Sequence, residues 1–186
     1  MFAFVHSQHQ KATADLQADE PVGAMVHDLG SSDRVVRQNA RRALVQMGGN
    51  ALPALKNALA DPQVTVRWEA ATALGELCDQ GACEPLAHLL GDTDGNVRWA
   101  AAESLMRMGR LALPGLFKAL MEHSDSRNLR ECAHSVLVSQ NRGDLKPILE
   151  PVIAALEGVA PSAEVPHTAH AALHALRGEA DHRRAG

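Results

Sequence analysis

The sequence predicts an all-α protein, a right-handed α-α superhelix (an α-solenoid) of about five helical hairpins stacked side by side. Three observations predict it. A Val-Arg motif recurs with its arginines 30, 31 and 32 residues apart. The chain is 46% hydrophobic yet only 3% aromatic, with no tyrosine. Proline, glycine and aspartate fall at the joints between the apolar stretches. A core rich in Ala and Leu suits close-packed helices, whereas strands favour β-branched and aromatic side chains.

The repeat can be aligned by eye. SSDRVVRQNARRALVQM begins at Ser31, DPQVTVRWEAATALGEL at Asp61, DTDGNVRWAAAESLMRM at Asp92 and SDSRNLRECAHSVLVSQ at Ser124. The shared step is Val36-Arg37, Val66-Arg67, Val97-Arg98 and Leu129-Arg130. From Val66, the residues Ala70, Ala73, Leu74 and Leu77 lie four, seven, eight and eleven positions on, which is one face of a helix. This is helix B of each unit. Helix A precedes it, as in ALPALKNAL from Ala51, ACEPLAHLL from Ala82, ALPGLFKAL from Ala112 and the looser LEPVIAAL from Leu149. A fifth, worn B helix starts at Val165, where Ala169, Leu173 and Leu176 keep the frame and Pro166 replaces the arginine.

The breaks suit helix physics. Asp61 followed by Pro62 reads as an N-cap with proline at the first helical position. Pro53, Pro85, Pro114 and Pro147 fall near the starts of A helices, where a missing N–H is tolerated. Gly48-Gly49, Gly81, Gly109 and Gly143 mark the ends of B helices. The implied organisation is an N-terminal segment over 1–20, with a short helix around Gln8 to Leu16 or a loose chain. Repeat units follow over about 21–48, 49–79, 80–109, 110–142 and 143–177, and a polar tail over 178–186.

These residues resemble the HEAT family, in particular the bacterial HEAT-like repeats also found in phycobilisome lyases. Pro53, Asp61, Val66 and Arg67 match that family's spacing, and Pro85, Asp92, Val97 and Arg98 match with one residue fewer in helix A. Ser124 and Ser31 stand where the family has aspartate, with Asp33 a substitute in the first unit. The resemblance implies a ladder in which Arg37, Arg67, Arg98 and Arg130 tie successive units together, Arg67 reaching both Asp61 and Asp92. It also implies that the B helices line a concave face. Family members have many unrelated roles, so the fold carries no single function with it.

Composition excludes several classes. A net charge of −4 disfavours broad electrostatic binding of nucleic acid. Three cysteines without framework spacing fit a reducing compartment. The apolar Met1 to Val5 run is too short for a signal peptide, and nothing approaches a membrane span, so a cytoplasmic protein is expected. There is no phosphate-binding glycine loop, no G-x-S-x-G and no H-E-x-x-H. HEAT-like deoxyhypusine hydroxylases carry His-Glu pairs for iron, and this chain contains no His-Glu dipeptide. No catalytic residue and no cofactor is implied.

The candidate binding surface is the B-helix face. It comprises Gln38 and Arg42 in the first unit, Trp68, Glu69, Thr72 and Glu76 in the second, Trp99, Glu103 and Arg107 in the third, and Glu131 in the fourth. Trp68 and Trp99 are the two tryptophans of the chain and occupy one column of adjacent units. Helices pack about 8–10 Å apart, so two indoles there suit a flat or cationic group between them. The expected partner is a protein or peptide with an Arg- or Lys-containing segment; the bland alternative is that the indoles pack over arginine stems. A tetrapyrrole-handling subunit like the phycobilisome lyases is the second reading. DNA binding or repair is the third, since HEAT-like alkylpurine DNA glycosylases use aromatics and an acid, which Trp68, Trp99 and Glu103 echo. Arg34, Arg37, Arg41 and Arg42 cluster in the first unit as an exposed face or an anion contact. His167, His170 and His174 share a helix face but lack an arranged carboxylate or thiol, and His170 aligns with a core position. Cys78 and Cys83 lack a second pair and read as two small buried hydrophobes, so neither set is expected to hold a metal.

Overall fold

The structure, a computed structural model, describes residues 21–185. The expected N-terminal helix around Gln8 to Leu16 lies outside them. Among the described residues the chain is helical throughout, with no strand. Helix α1 covers residues 21–28. It is followed by α2 (Arg34–Gln46), α3 (Leu52–Ala58), α4 (Val64–Leu77), α5 (Cys83–Leu89), α6 (Gly95–Met108), α7 (Leu113–Glu122), α8 (Arg127–Gln140), α9 (Lys146–Glu157) and α10 (Pro161–Ala185).

Each joint follows from its residues. A short 3-10 turn precedes each of the A helices α3, α5, α7 and α9 and ends on a buried apolar residue: Ala51, Ala82, Ala112 and Leu145. Pro53, Pro114 and Pro147 then sit in the first two helical positions. At the B helices, Asp33, Asp94 and Ser126 cap α2, α6 and α8 with side-chain oxygens. Helix α4 starts later than the sequence suggests. Its N-cap is Gln63, and Asp61 instead accepts a hydrogen bond from the Gln63 amide at 2.8 Å, an Asx turn ahead of the helix. The end of α4 also differs. Cys78, at φ 54°, takes the positive φ that Gly48, Gly109 and Gly143 take after the other B helices, while Gly81 lies in the next turn.

The apolar stripes form two layers. B helices stack in order, α2 on α4, α4 on α6 and α6 on α8, while α5 packs on α7 in the other layer. Small residues set the α4–α6 approach. Ala70, Ala71, Ala100 and Ala101 are buried, and a Cβ on Gly75 would stand 2.2 Å from the Ser104 hydroxyl. That hydroxyl donates to the Ala71 carbonyl at 3.0 Å, so the closest point of the stack is also hydrogen-bonded. Leu44, Leu55, Leu74, Leu86, Leu105, Leu116 and Phe117 fill the seam between layers, each fully buried. Each such side chain contributes about 1.5–3 kcal/mol by leaving water.

The last hairpin departs from the pattern. Val165, Ala169, Leu173 and Leu176 of α10 are buried, as the repeat frame predicts. But α10 packs chiefly on α7 and α9, whereas a B helix packs on the preceding B helix, and α9 lies on α8. The hairpin therefore closes the end of the stack with its helices exchanged between layers. Helix α10 also continues to Ala185, past residue 178 where a polar tail was expected. No helix among the described residues is long and apolar enough to cross a membrane.

Candidate protein-binding groove

The repeated arginine comes first, because it positions the B-helix starts. Its Nη1 donates to the carbonyls six and five residues earlier. Arg37 reaches Ser31 and Ser32 at 2.9 and 3.2 Å, Arg67 reaches Asp61 and Pro62 at 2.9 and 3.3 Å, and Arg98 reaches Asp92 and Thr93 at 2.7 and 3.0 Å. Arg130 makes the same bond to Ser124. The Val-Arg motif is thus a clamp that ties α2, α4, α6 and α8 each to the turn before it.

The forward arm of the arginine varies. Arg67 takes the Asp92 carboxylate with two bonds, 2.8 and 3.0 Å, and meets Asp61 through its backbone carbonyl rather than the expected carboxylate. Burial works to raise the Asp92 carboxyl. The Arg67 hydrogen bond, the Asp94 amide and the charges of Arg67 and Arg98 override it and hold the group below the usual range. Arg37 instead bonds Glu69 at 3.2 Å. Arg98 faces the Cys132 thiol, which burial pushes up and Arg98 pulls down, with a net rise.

Glu69 is therefore not a groove residue. It is 1% exposed and holds Arg37 on one oxygen and Arg41 on the other, at 3.2 and 2.7 Å. Its column, two after the repeated arginine, turns into the seam between B helices; Ala100 occupies the same column and is buried. Arg41 also joins Glu76 at 3.2 Å. Two of the four first-unit arginines are thereby spent on carboxylates inside the stack, and Arg34 and Arg42 remain exposed.

Trp68 and Trp99 do come together. With Val64, Thr65 and Asn96 they line one open cavity of about 380 Å³ over the first turns of α4 and α6. Trp68 is half-buried against the core, while Trp99 is 61% exposed. Val64, Thr65 and Asn96 were missed by the sequence reading. They precede the tryptophans by three or four positions, so a helical count backwards from each indole finds them. Among the described residues no charged side chain lines the cavity.

The other candidates lie apart. Thr72 donates to the Trp68 carbonyl at 2.9 Å on its own helix. Glu103 and Arg107 stand 3.6 Å from each other, both half-exposed. Glu131 pairs with Arg127 at 2.7 Å and lines a second cleft of about 450 Å³ with Arg130, His134 and Glu157. Gln38 is half-buried on α2. His170 is exposed rather than in the core, with its ring 4.6 Å from that of His174. Of the two cysteines near the α4–α5 joint, Cys83 is buried and Cys78 is exposed.

Paired helices stacked in two layers around a shared seam, with an arginine clamp in the first four units, define an α-solenoid. Residues 52–137 match HEAT repeats, and residues 36–61 match the PBS lyase HEAT-like repeat. Residues 36–137 of the chain are therefore HEAT-type repeats. No curated protein matches it.

Proposed function

We propose that this HEAT solenoid is a non-enzymatic binding module whose B-helix face takes a segment of another protein, anchored between Trp68 and Trp99. The observation that carries the reading is the shared cavity. The two indoles, one braced by the core and one 61% exposed, flank the same opening with Val64, Thr65 and Asn96. Exposed tryptophan beside a preformed apolar recess is the usual chemistry of an interface anchor. Its uncharged lining favours an apolar or aromatic side chain, or a cationic head held over an indole face, as the inserted group. With Glu69 buried, Glu103 is the nearest B-helix carboxylate to Trp99 in sequence, one turn on.

The tetrapyrrole reading draws on the PBS lyase-like match, which covers residues 36–61 and ends before the first groove residue, Val64. No cation among the described residues lines the groove, which with the net charge of −4 weighs against DNA.

Selection of displayed peptides on the immobilised protein tests the proposal. Enriched peptides should share an aromatic, apolar or basic anchor, and Trp99→Ala should abolish their binding while circular dichroism stays unchanged. Enriched peptides that bind Trp99→Ala as well as wild type would move the site elsewhere.

A further inference from the structure

The C-terminal ends of α5 and α7 bring together three side chains that the groove does not use. His88 lies in the last turn of α5, Glu122 is the last residue of α7, and His123 caps α7 with non-helical backbone (φ −130°, ψ 41°). Consecutive residues on a helix point about 100° apart. The break at His123 lets both neighbours face His88. His88 Nε2 stands 3.5 Å from a Glu122 carboxylate oxygen. The two imidazoles meet edge to face with centroids 5.2 Å apart. One donor atom from each of the three residues lies within 4.8 Å of the others.

We infer that His88, Glu122 and His123 form a zinc site that ties α5 to α7. In a tetrahedral zinc centre with bonds of about 2.0–2.2 Å, neighbouring donors stand about 3.3–3.6 Å apart. The His88–Glu122 pair already has that spacing. His123 is exposed, so side-chain rotation closes the third position. Two neutral imidazoles and one carboxylate suit Zn²⁺ and suit Mg²⁺ or Ca²⁺ poorly, since those ions want oxygen alone. Both helices also turn their partly negative C-terminal ends toward the cation.

The frame behind the site is firm. One turn earlier, Lys118 bonds Glu84 across the same helix pair at 2.7 Å. A Cβ on Gly115 would stand 2.8 Å from the backbone of Cys83 and Glu84, which fixes how closely the helices approach. The fourth zinc position faces solvent, open to water or to a ligand from a partner.

Isothermal titration of the full chain with zinc chloride tests the site. Wild type should bind one Zn²⁺ per chain and give no heat with Mg²⁺. His123→Ala and Glu122→Gln, both exposed substitutions, should each weaken zinc on the order of tenfold or more with helicity unchanged. Zinc should raise the Tm of wild type and not of these variants. The paired control His170→Ala with His174→Ala should bind as wild type does. The inference is overturned if wild type takes up no stoichiometric zinc, if His123→Ala binds it equally well, or if the α10 control removes the binding instead.

Discussion

Arg67 grips Asp92 with two parallel hydrogen bonds, Nε to Oδ2 at 2.8 Å and Nη2 to Oδ1 at 3.0 Å, across the joint between α4 and α6. The same guanidinium holds the turn that precedes α4 through its Nη1. One side chain thus fixes a helix to its own turn and to the next unit. The pair is nearly dry, with 13% and 9% of the two side chains exposed.

Asp92→Asn should therefore lower unfolding stability by about 2–3 kcal/mol at neutral pH, because it leaves a buried guanidinium without its counter-charge. The sign of the pH dependence follows from the depressed carboxyl. A group whose folded pKa lies below its unfolded value stabilises fully above the unfolded value, about 3.9 for aspartate, and loses that contribution as pH falls through the folded one. Urea denaturation should show the gap between wild type and variant narrowing below about pH 4.

Glu69→Gln separates the two roles that the sequence merged in one surface. The carboxylate satisfies Arg37 and Arg41 inside the α2–α4 seam. The amide offers a single acceptor oxygen, so chemical denaturation should register a loss of about 1–3 kcal/mol. Any ligand bound between Trp68 and Trp99 should bind the folded variant unchanged.

Cys78→Gly should stabilise the protein. Cys78 is the one non-glycine residue with positive φ among those described, and the equivalent helix ends use Gly48, Gly109 and Gly143. Removing the Cβ from a left-handed position should gain about 1 kcal/mol, read as a higher Tm.

The thiols should differ in reactivity. Burial raises the Cys83 thiol to about 11, with the charges of Cys78 and Asp79 adding to the rise, and its Sγ donates to the Leu111 carbonyl. Cys78 is exposed. Maleimide at neutral pH should label Cys78 in the native protein and reach Cys83 only on unfolding, as peptide mapping would show.

The fold was legible because its determinants are local and periodic. The Val-Arg step marks each clamp, since the acceptor carbonyls lie only five and six residues back. Burial of Val165, Ala169, Leu173 and Leu176 followed from the helical stripe. Their packing partner did not, because a stripe says which residues leave water and not which helix covers them; so α10 came to rest on α7. Glu69 was misplaced for a related reason. It lies one residue past Trp68, and the rotation of about 100° between them carries it from the open face into the seam. What draws a carboxylate there is Arg41, at a column that later units give to Ala71 and Ala102. His88 and Glu122 carry no sequence signal at all, being 34 positions apart and joined only by the stacking of α5 on α7.

The central claim is that Trp68 and Trp99 anchor a partner, and affinity capture from the native host tests it most directly. Wild type, Trp99→Ala and the Trp68→Ala, Trp99→Ala double variant would serve as baits, with circular dichroism establishing that all three are folded. The account predicts a partner that wild type retains at stoichiometric yield and both variants lose, and that wild type then binds as a purified pair. A partner captured equally by all three folded baits would contradict it.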